Sequence, residues 1–356
     1  MCSKIRNITY INAINSALHQ SMNKDKKVIS FGLGINDPKR IFNSTKGLVE
    51  KFGIERVFDI PTSENALMGV SIGLAMSGMK PIYMHQRLDF FLLAMDQLIN
   101  GASKWHYMFG GKVNLPITVR LIIGRGWGQG PTHSQNLHAW FAHVPGLKVI
   151  MPSNPHDAKG LLLKSIFDPN PVIFLEHRWL HNSIGKVPEK YYELEIGKAK
   201  IINKGNDVTI IASSYMVADA INFIKHFERI NSKISIELID LRSIKPLDKN
   251  CILKSVKKTK RVIVLDPGFS FCGFASEIIS IISLNLIYEL KYKPIKITVP
   301  DIPEPTSRFL VKYYYPSINN LYRSVCKMFN LKINNKINLD QNKQVDVPGD
   351  WFKGPF

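Results

Sequence analysis

The stretch GRGWGQGPTHSQNLHAWFAHVPG (residues 124–146) sets glycines at every second position, Gly124, Gly126, Gly128 and Gly130, then continues into Pro131, Thr132 and His133. An imidazole beside a glycine-rich segment can accept or relay a proton near neutral pH. The glycine spacing does not match a phosphate loop, which needs Gly, four residues, Gly, Lys and Ser or Thr. Nor does it match the dinucleotide fingerprint. It fits a loop whose backbone approaches something closely. Leu137, Trp140, Phe141 and Val144 fall at i, i+3, i+4 and i+7, which predicts an apolar helix stripe ended by Pro145-Gly146, with Thr132 or Ser134 as its cap. On that reading His133 stands at a helix N-terminus, where the dipole favours the neutral ring. It is then either a proton carrier or a member of the cap. His133, His138 and His143 are five apart, and five residues overshoot a full turn by about 140°, so the three diverge and predict no metal site. His138 and His143 are expected at the surface or in a cap.

Other chemistry-bearing residues sit at the ends of apolar runs. Glu64 follows Thr62-Ser63 and opens a Gly/Ala-rich helix in IPTSENALMGVSIGLAMSGMKPI (60–82). It is either an acid suited to the helix dipole or a carboxylate at the carboxyl end of a strand, where parallel sheets place ligands. In HQRLDFFLLAMDQLINGASK (85–104), Arg87 and Asp89 precede Phe90 and Phe91. The two charges either hold a polar substrate or pair with each other. One phenylalanine is expected in the core and the other is free to stack on a ring.

The elements that would position these residues form a regular alternation. ERVFDIP (55–61), KPIYMH (80–85), PITVRLII (116–123), LKVIMP (147–152) and NPVIFLE (170–176) read as buried strands, with helical segments such as 92–109 and 155–167 between them. Strand, helix, strand implies a mostly parallel sheet covered on both faces. GKVPEKYYELEIGKAK (185–200) interrupts the rhythm as a linker. Strands then resume at 207–213, 233–241, 261–266 and 295–301, with helices near 215–230, 247–258 and 273–285. The expected fold is α/β, with two doubly wound, mostly parallel-sheet domains. Residues 1–184 form the first, 185–200 the linker, 201–331 the smaller second domain and 332–356 a polar tail.

Composition narrows the class. The chain has 356 residues, 45% hydrophobic, which is enough for two cores. Its net charge is +19, from 47 Lys and Arg against 28 Asp and Glu. The lysines are scattered among Asn and Ile, as in KINNKINLDQNKQ, so nucleic acid is not the expected partner. An acidic partner subunit or a phosphorylated substrate is compatible with the charge. Cys2, Cys251, Cys272 and Cys326 have no paired spacing, which argues for reduced thiols in the cytoplasm and against a zinc or disulfide framework. The first residues lack the apolar core of a signal peptide, and no run reaches the about eighteen apolar residues of a membrane span.

Taken together, TSE before a Gly/Ala helix, AMDQLINGASK, YMFGG, THSQ, PGLKVIMPSNPHDAKGL and DPNPVIFLEH resemble the beta subunit of the first component of 2-oxoacid dehydrogenases, the thiamine-diphosphate decarboxylase of the pyruvate dehydrogenase type. DLRSIKPLD, VIVLDPGFSFCGFASEI and the final GPF agree, so the resemblance runs from about residue 8 to the end. It implies a transketolase-like pyrimidine-binding domain followed by a transketolase C-terminal domain. It implies that Glu64 hydrogen-bonds the aminopyrimidine of thiamine diphosphate, which serves as an electron sink for decarboxylation. Phe90 would pack on the pyrimidine, and Leu93 occupies the position of a family glutamine at the cofactor. His133 would line the active-site mouth and transfer protons during acyl transfer. Asp168 and Asn170 match a loop that binds potassium through carbonyl oxygens in some members. The family's GDG…NN motif for diphosphate and magnesium is absent, and in this family it lies on an alpha subunit. The resemblance therefore implies half an active site, working in an assembly of two alpha and two beta chains, with a lipoyl acyltransferase as a further partner.

The surroundings of the substrate depart from the family pattern. Arg87, Asp89, Arg125 and Trp127 make a more polar, bulkier rim. Three readings follow. The chain is a 2-oxoacid decarboxylase subunit passing its acyl group to a lipoyl carrier, or a transketolase-like carbon–carbon ligase subunit passing an acyl or two-carbon unit to an aldehyde, ketone or sugar, or a non-catalytic partner-binding form of the fold. Retained Glu64, Phe90 and His133 argue against the third.

Overall fold

The computed structural model describes residues 4–125, 128–334 and 347. Mostly apolar stretches such as VISFG, TVRLII, VIFLEH and VTIIA are buried along their whole length, as strands covered on both faces must be. In chain order the strands are β1 Ile5–Thr9, β2 Val28–Gly32, β3 Val57–Asp59, β4 Lys80–His85, β5 Thr118–Ile123, β6 Lys148–Ile150, β7 Val172–His177, β8 Ile184–Pro188, β9 Lys200–Asn203, β10 Val208–Ala212, β11 Ile236–Asp240, β12 Ser243–Lys245, β13 Val262–Phe269 and β14 Ile295–Val299. The first sheet runs β12-β6-β7-β5-β4-β2-β3 and the second β14-β13-β10-β11-β9. Within these two sheets all pairings are parallel except β12 on β6 and β9 on β11. These are two α/β domains of the expected kind, with the apolar runs at 80–85, 170–176 and 207–213 forming β4, β7 and β10.

One strand crosses between the halves. β12 comes from the second half of the chain but completes the first sheet. Its Lys245 donates to the carbonyls of Ala142 and Val144 at 2.7 and 3.0 Å, covering the last turn of the helix His138–His143. The 185–200 stretch, read as a linker, begins within β8, which pairs antiparallel with β1. The Lys159 ammonium then donates to the carbonyls of residues 188, 189 and 190, so the stretch is fastened to the helix Pro155–Ile166. The helical stretch 92–109 contains a wider turn at Gln97–Ala102 between a tight turn, Leu92–Ala94, and the helix Ser103–Met108.

A buried charge is costly unless it is paired. Arg120 on β5 donates from Nε to Glu176 on β7, and both are fully enclosed. Burial alone would raise the Glu176 carboxyl, but the Arg120 charge and the neighbouring His181 overcome it and hold the group below its usual range. Replacing Arg120 with Ala leaves that carboxylate buried without its cation. The expected loss is about 3–5 kcal/mol in denaturant unfolding.

Asp240, at the end of β11, accepts from the Ser153 hydroxyl and from the backbone of Arg242 at the junction of the two sheets. Burial pushes its carboxyl up to about 7. An unfolded aspartate titrates near about 4. Stability from the neutral form is therefore complete below about pH 4 and is lost as pH rises through about 7. In thermal unfolding, Asp240→Asn is expected to gain on the parent protein between about pH 4 and about pH 8. A constant difference across that range would refute this role.

Candidate active site

The carboxyl ends of β7, β5, β4, β2 and β3 line one edge of the sheet because the strands are parallel, which is where such sheets bind ligands. The glycine loop leaves β5 at this edge. Gly124 has φ 119°, and a Cβ there would lie 2.6 Å from Nε2 of His177 at the end of β7. Gly130 has φ 71°, and its Cβ would lie 2.5 Å from the Thr306 hydroxyl of the second domain. The close approach expected of the loop is therefore to both domains. Gly126 and Trp127 lie outside the described residues.

His133 is not at a helix N-terminus. The helix His138–His143 begins after Leu137 and carries no side-chain cap, so neither Thr132 nor Ser134 caps it. The intervening residues are engaged elsewhere. Asp89 Oδ1 accepts from the Gln135 backbone at 3.3 Å and from its side-chain amide at 2.9 Å. The His133 ring stands edge-on to Phe90, with centroids 5.2 Å apart and planes at 89°. Its Nδ1 is 3.0 Å from the Thr132 hydroxyl. Of the expected apolar stripe, Leu137, Phe141 and Val144 are buried but Trp140 is exposed, because the helix is short and presents that side outward.

His138 also departs from expectation. It is fully buried, with Nε2 2.9 Å from Asp266 Oδ1 on β13. Burial works against the Asp266 charge, but His138 and the N–H groups of Gly268 and Ala275, each at 2.8 Å, hold the carboxyl below its usual range. His138 thus ties the two domains together, while His143 is exposed as expected.

Arg87 and Asp89 do not pair with each other. Arg87 is 4% exposed and donates to the Gln129 side chain. Burial lowers its pKa, with Asp89 and Glu304 acting in the opposite sense. Burial raises the Asp89 carboxyl, against the bonds from Gln135. Both residues therefore anchor the loop to the end of β4. Gln129 and Gln135, partners that sequence reasoning missed, stand in plain view in GQG and HSQ. Arg125 lies between the rings of Trp179 and Tyr315, 4.0 Å from each centroid.

Glu64 is the first residue of the helix Glu64–Met76 and is 8% exposed. Its carbonyl accepts from the Tyr83 hydroxyl at 3.2 Å, and the next residue, Asn65, accepts from the Gln97 backbone at 3.4 Å. These bonds fix the helix against β4 and the turn Gln97–Ala102. Phe91 is core, while Phe90 keeps 36% of its surface free. A sheltered carboxylate and an open aromatic face suit an aminopyrimidine ring, so these residues fit thiamine diphosphate. Leu93 is 67% exposed on the turn Leu92–Ala94. Asp168 and Asn170 lie at the opposite, amino end of β7. There Lys148 holds the Asp168 carboxylate at 2.6–2.7 Å, and Asn170 donates to it from its backbone at 3.0 Å. Among the described residues no group of three or more His, Cys, Asp or Glu side chains could hold a metal.

Comparison with known proteins identifies the family. Residues 6–182 match the transketolase pyrimidine-binding domain and residues 197–321 the transketolase C-terminal domain. The chain is 39% identical to the acetoin:2,6-dichlorophenolindophenol oxidoreductase beta subunit of Bacillus subtilis, covering 88% of this chain and 94% of that one. It is 38% identical to the mitochondrial pyruvate dehydrogenase E1 component subunit beta-1 of Arabidopsis thaliana, covering 90% and 88%. It is also 38% identical to the 2-oxoisovalerate dehydrogenase beta subunit of Bacillus subtilis, covering 86% and 94%. A solved split-gene transketolase, an inactive beta4 tetramer, shares the fold with a TM-score of 0.73 at 20% identity, covering 92% of this chain and all of that one.

Asp89→Ala removes both bonds to Gln135 and frees the segment that holds His133 against Phe90. The expected result is a loss of about 100-fold in turnover with the protein still folded. Asp89→Asn keeps the acceptor oxygen and should restore most of it. Equal loss in both variants would contradict a positioning role.

Proposed function

Because the chain belongs to the transketolase-like beta subunits of 2-oxoacid dehydrogenase first components, we propose that it supplies half the active site of a thiamine-diphosphate-dependent 2-oxoacid decarboxylase of the pyruvate dehydrogenase type. The observation that carries this reading is the edge-on pairing of Phe90 with His133 at the sheet edge, in a chain that retains Glu64. When bound, thiamine diphosphate supplies the electron sink for decarboxylation. Glu64 would accept or share a proton with the aminopyrimidine from its sheltered position. Phe90 would offer the ring its open face, and His133 would carry a proton during acyl transfer. Leu93, exposed three residues beyond Phe90, would face cofactor or partner in the assembly.

The diphosphate and magnesium are assigned to an alpha chain carrying GDG…NN, in an assembly of two alpha and two beta chains. A lipoyl acyltransferase would receive the acyl group. Potassium would use carbonyl oxygens of the 168–170 loop, where the buried Asn170 Oδ1 has no hydrogen-bond partner among the described residues. No described helix is long and apolar enough to cross a membrane. The free thiols of Cys251, Cys272 and Cys326 support a cytoplasmic site of action.

The test is Glu64→Gln in the purified assembly, with 2-oxoacid decarboxylation as the readout. Turnover should fall by about 10²- to 10⁴-fold while the assembly keeps its size. Undiminished turnover would reject the assignment of Glu64.

A further inference from the structure

A cavity of about 440 Å³ lies between the segment around His133 and the second domain. Thr132 and Ser134, the two neighbours of His133, line it, and Asp301 and Glu304 face them from the other domain. Ser134 and Asn136 are 3% and 7% exposed. The Ser134 hydroxyl and Asn136 Oδ1 have no hydrogen-bond partner among the described residues. Buried polar atoms left this way are costly and point to a group that satisfies them. Phe269 and Tyr314 add aromatic surface to the wall.

The chemistry of the wall selects its ligand. Among the described residues no lysine, arginine or histidine lines the cavity, so a phosphate or carboxylate would meet two acids and no cation. Carboxylates and the Asn136 oxygen accept hydrogen bonds, and so call for a ligand rich in donors. A cation is less well served, because the Glu304 charge also acts on Arg87, a cation on the other side of the loop. The volume suits a molecule of one or two small rings.

We propose that this cavity is a subsite for a neutral polyhydroxylated molecule of monosaccharide size, held by carboxylate, amide and hydroxyl groups beside His133. Its relevance to turnover rests on the reading of His133 as the group at the reaction mouth, but its binding chemistry does not.

Saturation-transfer NMR on the purified assembly tests it with a panel of glucose, fructose, rhamnose and ribose, and with glucose 6-phosphate and glucosamine as charged counterparts. At least one uncharged sugar should receive saturation and its charged counterparts should not. Asp301→Ala and Asn136→Ala should each weaken that sugar by about tenfold. The proposal is overturned if no uncharged sugar binds, if the phosphate or amine binds as well, or if neither substitution changes affinity. Decarboxylation measured on the same samples reads the main assignment separately. Its absence in the parent assembly would count against that assignment alone.

Discussion

One oxygen of Asp89 accepts from the Gln135 backbone N–H and from its side-chain amide, and this joins the end of β4 to the loop that leaves β5. The glycine-rich segment cannot hold itself, because its alternating glycines remove the side chains that would restrict it. It is held from outside. Asp89 grips it after His133, Arg87 grips Gln129 before it, and Thr306 closes against Gly130. Burial of Arg87 and Asp89 strengthens these ties by excluding water. Phe90, the residue after Asp89, is thereby set against the His133 ring. Positioning and reactive groups are thus sequence neighbours, placed by one turn at a strand end.

The two domains are also less separate than two sheets suggest. β12 leaves the second sheet's neighbourhood to finish the first. Asp240 meets Ser153, and His138 meets Asp266, each across the junction. A buried histidine beside a carboxylate resists separation, because parting them would leave an uncompensated charge or dipole in an apolar setting. The loop is consequently braced by both domains at once, and the cavity beside His133 has walls from both.

Much of this arrangement was legible in the sequence. Strands buried on both faces appear as mostly apolar runs, so the central strands β4, β5, β7, β10 and β13 could be read directly. Glu64, Phe90 and His133 stand out as candidates there, but their roles come only from what the family resemblance implies. The ribbon of β1 and β8 could not, because IRNIT and IGKVP are partly exposed and carry no period. β12 has three residues, and its pairing depends on a strand almost a hundred positions earlier. His138 looked like a surface group because its partner, Asp266, lies in the other domain. The helix start was misplaced because Gln135, within the expected first turn, bonds to Asp89 instead. Local patterns reveal elements, but a bond between distant side chains becomes visible only when the chain is folded.

The central claim is that this chain holds the pyrimidine side of a site that another chain completes. The most direct measurement is thiamine diphosphate binding by calorimetry, with magnesium present, to the purified chain alone and to the assembly isolated with its partner. The account expects tight binding to the assembly only, with a partner that carries GDG…NN. Tight binding and decarboxylation by the chain alone would contradict it.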